Sequence, residues 1–124
     1  MLNLRKENIE IIKGDTLIFY IEVVDADTDI CSDLSDWTGT MTIKEKIADT
    51  NNDAKITVNK YTDHCDSDEE NGIVYFKVSA EDTNLLEEKK YFYDIQFEKV
   101  IDSEEHSYTV MIGDLIIIHQ VTIT

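Results

Sequence analysis

The residues best placed to do chemistry lie in two acidic stretches. Asp25-Ala26-Asp27-Thr28-Asp29-Ile30-Cys31-Ser32-Asp33-Leu34-Ser35-Asp36 sets aspartates at positions 1, 3, 5, 9 and 12 of a calcium-loop template. At that spacing hard oxygen ligands can converge on one divalent ion. Asp25, Asp27, Asp29, Asp33 and Asp36 are the candidate ligands. Against them, Ile30 stands where the sharp turn wants glycine, and Asp36 stands where a bidentate glutamate belongs. The flanks, moreover, read as strands rather than helices. The balance favours a solvated acidic loop and no resident cofactor. The second stretch, Asp63-His64-Cys65-Asp66, reads as a fragment of a zinc site. A structural zinc wants four ligands in recognisable pairs, and the chain has no CxxC or HxxxH. His106 and His119 lie far away, in or beside strands. A polar loop is the expectation, with no metal.

No catalytic set emerges. G-x-S-x-G, H-E-x-x-H and glycine-rich phosphate loops are all missing, and the four glycines fall at apparent turns. Carboxylate pairs abound because the chain is acidic, so a glycosidase-like dyad would arise by chance. The expectation is a protein that is not an enzyme. Trp37, between a turn and a strand, reads as a core plug at one end of the fold. The competing reading joins it to Tyr20 or Tyr61 as a sugar-stacking platform. The formal charge of −16, from 27 acids against 11 Lys and Arg, sets the chain against nucleic acid and anionic membranes. The opening MLNLRKENIE is not a secretory signal. Synthesis in the cytoplasm is therefore expected, with Cys31 and Cys65 as free thiols; a disulfide between their loops after lysis is the alternative.

The elements that must position these residues are strands. At 124 residues the chain is read as a single domain, 1–124, able to bury roughly two-thirds of its unfolded surface. Its organising stretch runs from Asn71 to Val100. Ile73 to Val78 alternates, with Val74, Phe76 and Val78 on one face; Tyr91 to Glu98 alternates again, with Tyr91, Tyr93, Ile95 and Phe97 together. Between them Ser79 is an N-cap candidate for a short helical turn near residues 80–87. Leu85 and Leu86 are expected to reach the core, and Lys89 and Lys90 to sit at the helix's negative end. The two strands are expected to form an antiparallel pair.

Further strands are read at Asn8 to Lys13, Thr16 to Val24, Thr40 to Lys46, Lys55 to Lys60, Ser107 to Ile112 and Leu115 to Thr124. A polar turn is read at Asp49 to Asp53, a turn at Asp102 to Glu105 and a tight reversal at Gly113-Asp114. Tyr108, Val110 and Ile112 are expected to align, as are Leu115, Ile117, His119, Val121 and Ile123. About eight strands at close spacing predict an all-β fold, an antiparallel two-sheet β-sandwich.

Four stretches together are similar to a known pattern. They are Lys13-Gly14-Asp15-Thr16, Asp33-Leu34-Ser35-Asp36-Trp37-Thr38, Gly72-Ile73 through Val78-Ser79-Ala80-Glu81-Asp82-Thr83, and Tyr91-Phe92-Tyr93-Asp94-Ile95-Gln96. In this order the chain resembles the immunoglobulin-like β-sandwich domain of tailed-bacteriophage structural proteins, found at the N-terminus of upper baseplate proteins and in small tail proteins. The likeness covers most of residues 11–124, although Asp36 stands where that family usually has glycine. It implies an immunoglobulin-like sandwich and a non-enzymatic structural role in a virion, as a baseplate or tail-attachment adaptor. The implied partners are other virion structural proteins and further copies of the chain in a symmetric assembly. The implied location is the virion, after synthesis in the host cytoplasm. A capsid decoration or head-fibre protein is the nearer alternative, and a carbohydrate-binding module the more distant one.

Overall fold

A computed structural model of the chain describes residues 4–25, 27–28, 30–46 and 54–119. In chain order its strands are β1 (Arg5–Lys6), β2 (Ile9–Ile12), β3 (Leu17–Glu22), β4 (Thr38–Lys44), β5 (Ile56–Asn59), β6 (Ile73–Val78), β7 (Lys90–Ile101) and β8 (Glu104–Ile118). One helix, α1 (Ala80–Leu85), lies between β6 and β7. The larger sheet runs β1-β8-β7-β4-β5, with β2 following β1 along the same side of β8. β3 and β6 make the smaller sheet. This is an all-β two-sheet sandwich of the generic immunoglobulin-like kind, mostly antiparallel.

β7 holds it together. It pairs with β4 on one side and β8 on the other, both antiparallel. Its alternation buries Tyr91, Tyr93, Ile95 and Phe97 on one face, as the period of two requires. Met41 and Ile43 of β4 join them from the same sheet, fully buried, while Ile21, Val74, Phe76 and Val78 face them from the smaller one. Phe76 meets Phe97 edge-on across the interior, ring centres 6.4 Å apart. Burying one such side chain contributes about 1.5–3 kcal/mol. The four from β7 alone match in gross terms the net stability of an ordinary domain, roughly 5–15 kcal/mol.

β7 turns into β8 through Asp102 and Ser103, whose φ values of 51° and 64° give the two-residue hairpin geometry that suits twisted strands. α1 starts as its sequence suggests: the Asp82 amide donates to Ser79 Oγ at 3.2 Å. The Thr83 hydroxyl donates to the Asp15 carbonyl at 2.7 Å and ties the helix to the turn after β2.

Five features depart from the sequence reading. β6 and β7 do not pair; α1 carries the chain from one sheet to the other, because both strands need their apolar faces turned to a shared interior. Gly113-Asp114 is no reversal, and β8 runs straight through it. Glycine is required there for another reason: a Cβ on Gly113 would lie 1.7 Å from the Glu7 carbonyl oxygen. The register of β7 and β8 slips between Ile95 and Gln96, leaving Val110 as a bulged residue. Beyond it the phase flips, so Met111, Leu115 and Ile117 point inward and Ile112 leaves the face of Tyr108. β1 and β2 pair with β8 in parallel, a connection that strand spacing alone does not announce. Finally, α1 ends at Leu85, which is 79% exposed while Leu86 is buried. Lys89 therefore bonds Glu45 at 2.9 Å instead of capping the helix, and Lys90 opens β7. The expected turn at Asp49 to Asp53, together with Val121 and Ile123, lies outside the described residues.

Tyr93 reaches from β7 to the N-terminal segment and donates to the Glu7 carbonyl at 2.6 Å. Burial, with a smaller contribution from the Glu7 charge, pushes its phenol up to about 12. Above pH 10 the unfolded tyrosine loses its proton while the folded one keeps it. The stability Tyr93 contributes is therefore complete below pH 10 and lost as pH rises toward 12. Urea unfolding should show stability falling by about 1.4 kcal/mol per pH unit in that window. Tyr93→Phe should flatten much of the slope and cost about 1 kcal/mol at neutral pH. Gly113→Ala should cost about 1–3 kcal/mol or more by the same assay, since backbone occupies the space its methyl needs.

Candidate functional site

The acidic loop is organised by its own backbone. Asp25 Oδ1 accepts from the amides of Asp27 at 2.8 Å and Thr28 at 3.1 Å. Asp33 Oδ1 accepts from the hydroxyl of Ser35 at 2.6 Å and its amide at 3.0 Å. Those two bonds, the hydroxyl's first, hold the Asp33 carboxyl below its ordinary value. Each carboxylate thus serves a local turn. Asp27 and Asp36 are exposed, and Asp29 lies outside the described residues. Leu34, fully buried, pins the loop to the core. Its amide donates to the Glu69 carbonyl at 2.8 Å, and the Lys60 ammonium reaches its carbonyl at 3.2 Å and Glu69 Oε1 at 3.1 Å. The acidity of the segment hides this anchor, although a leucine amid aspartates is the signal that finds it.

His64, Cys65 and Asp66 do come together, with one ligand atom from each within 4.8 Å of the others. The imidazole is already engaged. It stacks on Tyr75 with ring centres 3.8 Å apart and planes 8° from parallel, and its Nδ1 accepts from the Asp66 amide at 3.1 Å. A neutral ring used that way carries its proton on Nε2, so neither nitrogen offers a lone pair to a metal without rearrangement. Cys31 and Cys65 are both exposed, and neither is in a disulfide.

Trp37 is half-buried against the core. Its ring centre lies 5.9 Å from that of Tyr108, and the Lys99 ammonium sits 5.9 Å from it on one side. It joins neither Tyr20 nor Tyr61. Those two belong to a different strip on the outer face of the smaller sheet. Tyr20, 60% exposed, lies 5.6 Å from Tyr75, Tyr75 stacks on His64, and Tyr61 meets His64 edge-on at 6.1 Å. Lys77 is placed 5.4 Å from the Tyr61 ring centre.

The larger sheet has a second apolar surface, on its outer side. Ile12 and Ile118 are register partners, 41% and 39% exposed. Beside them lie Ile116, Ile112 and Phe92, half-buried, with Lys90 opposite Ile116 and Lys6 opposite Ile112. A shallow recess of about 260 Å³ opens between Phe92, Ile112, Asp94, Asp114 and Lys44. Asp94 accepts from the Thr42 hydroxyl at 2.8 Å and pairs with Lys44 at 3.6 Å. This surface was not expected from sequence. Its signal is the unbroken run Leu115-Ile116-Ile117-Ile118, since a strand apolar on every residue has two faces to cover.

No protein-family model matches the chain, and no curated protein does either. Cobalt(II) added to the reduced protein should give no thiolate-to-metal absorption, and calcium at about millimolar concentration no saturable heat. A band abolished by Cys65→Ser, or a calcium isotherm abolished by Asp25→Asn, would restore the corresponding site.

Proposed function

We propose that the chain is a non-enzymatic structural component of a tailed-phage virion, a small baseplate or tail-attachment adaptor that holds neighbouring proteins by its sheet surfaces. One observation supports this most: the outer side of the larger sheet offers an apolar centre ringed by charges of both signs. Ile12, Ile112, Ile116, Ile118 and Phe92 form the centre, with Lys6, Lys44, Lys90, Glu10 and Asp114 around it. A centre that sheds water inside a polar rim is how protein interfaces are built. Three lysines lie there against Glu10, Asp94 and Asp114, so the charges of this face balance locally on a chain of charge −16. The resemblance set out above supplies the virion context.

A second reading is favoured by the Tyr20, Tyr75, His64 and Tyr61 strip, which presents aromatic groups on an open sheet face, as a carbohydrate-binding module does. Glycan-array binding that is lost in Tyr20→Ala would favour it; a silent array would remove it.

The adaptor reading predicts that particles purified from cells carrying the gene contain the chain, and contain it only when tails are attached. Its presence on tailless heads would favour the capsid-decoration alternative, and its absence from all particles would sink both. Ile12→Lys combined with Ile118→Lys should reduce incorporation about tenfold, equivalent to about 1.4 kcal/mol. Both side chains are partly exposed, so the variant's melting temperature should stay within a few degrees of the parent's.

A further inference from the structure

The edge of β3 carries backbone groups aimed out of the molecule. β3 pairs with β6 alone among the described strands. Ile73 exchanges both its hydrogen bonds with Asp68, and the Tyr75 carbonyl accepts from Tyr61, so these two residues of β6 turn their backbone groups away from β3. Their partners across the ladder are Glu22 and Tyr20, with Ile18 opposite Lys77. In antiparallel pairing such residues turn their own amides and carbonyls away from β6. Ile18, Tyr20 and Glu22 thus present three amides and three carbonyls along an open edge, while the far edge of β6 is occupied by Asp68 and Tyr61. Natural edges are blunted by lysine, proline, bulges or short length. The strand Leu-Ile-Phe-Tyr-Ile-Glu has six residues, no proline, no lysine and one charge, at its end.

We infer that this edge pairs with the same edge of a second copy, antiparallel about a two-fold axis at Tyr20, joining two two-stranded sheets into one of four strands. The register is self-complementary. Tyr20 faces its own counterpart, and Ile18 faces Glu22 of the other copy in both directions, two hydrogen bonds per facing pair. No carboxylate faces another. The two Glu22 residues stand four residues apart along the ladder, about 14 Å, beyond the screening length of about 8–10 Å in ordinary salt. Centring the axis on Glu22 would set the carboxylates opposite each other, and centring it on Ile18 would leave Glu22's backbone groups unpaired. Among registers whose axis falls on an outward-turned residue, local chemistry selects that of Tyr20. What opposes it is the long-range repulsion of two chains of charge −16, so association must strengthen as salt rises. The inference stands whether or not the chain belongs to a virion, because its test uses the isolated protein.

Sedimentation of the reduced full chain should give a monomer–dimer equilibrium whose dissociation constant falls at least about tenfold between about 0.05 M and about 0.5 M salt. Tyr20→Pro removes an outward amide and leaves the β3–β6 ladder intact; it should be monomeric and melt cooperatively, a few degrees lower for the lost Tyr75 ring contact. Should that variant fail to fold, Ile18→Lys serves as the second test and should also be monomeric. In a Cys31→Ser, Cys65→Ser background, Tyr20→Cys should form a covalent dimer on mild oxidation, since facing residues of this type lie about 5.5 Å apart at Cα. A chain monomeric at every concentration and salt overturns the inference in favour of a strand from a different protein. A dimer that survives Tyr20→Pro and Ile18→Lys, or refuses the Tyr20→Cys bridge, overturns it in favour of another interface.

Discussion

Everything in this molecule depends on the centre of β7, Phe92 to Glu98, being paired on both sides while its inner face is sealed. Lys90 to Ile101 lies between β4 and β8, and its four inward side chains meet Met41, Ile43 and Phe76 in the dry centre. From Phe92 to Glu98, where both neighbours pair with it, the strand has no free backbone group to offer. The burden of contact with the outside therefore shifts to the strands at the margins and to the outer sheet faces. The same sealing explains why α1 exists. β6 must face β7 across the core, so the chain has to change sheets, and a single capped turn anchored by Thr83 on Asp15 makes that change in few residues.

The two sheets are unequal, and the inequality has consequences. Loops complete the cover that two strands alone cannot give a six-stranded sheet. Leu34 plugs in from the acidic segment, and the Lys60–Glu69 pair fixes that segment against the start of β6. Nearby, Asp25 and Asp33 accept from the backbone amides of their own turns. His64 is used in the same spirit: its ring covers Tyr75, and its Nδ1 caps a backbone amide.

Much of the fold was legible from alternation. The inward sets of β4, β6 and β7, the Ser79 cap and the turn after Ile101 follow from period and turn chemistry. Three things were not legible, each for a physical reason. Partner choice between strands is a tertiary matter, so β6 and β7 look like a hairpin although each needs the opposite sheet. A bulge at Val110 shifts the phase by one residue, and a regular alternation cannot reveal a single insertion. Gly113 suggests a turn because glycine permits turns, whereas it is demanded by the Glu7 carbonyl packed where its side chain would be. Of the candidate chemistry, the acidic and histidine loops were found as sequence features, but their quiet use is visible only in hydrogen bonds. The open edge of β3 was hidden, since a strand's sequence does not say which of its sides is paired.

The claim that this molecule meets others through sheet surfaces and an open edge is tested most directly by amide hydrogen exchange, residue by residue, at low protein concentration and low salt. The account predicts that the β7 amides exchange slowest and that those of Ile18, Tyr20 and Glu22 exchange fast, while Phe19 and Ile21 between them are protected. Equal protection along the whole of β3 in the dilute monomer would mean that the chain covers its own edge, and would contradict the account.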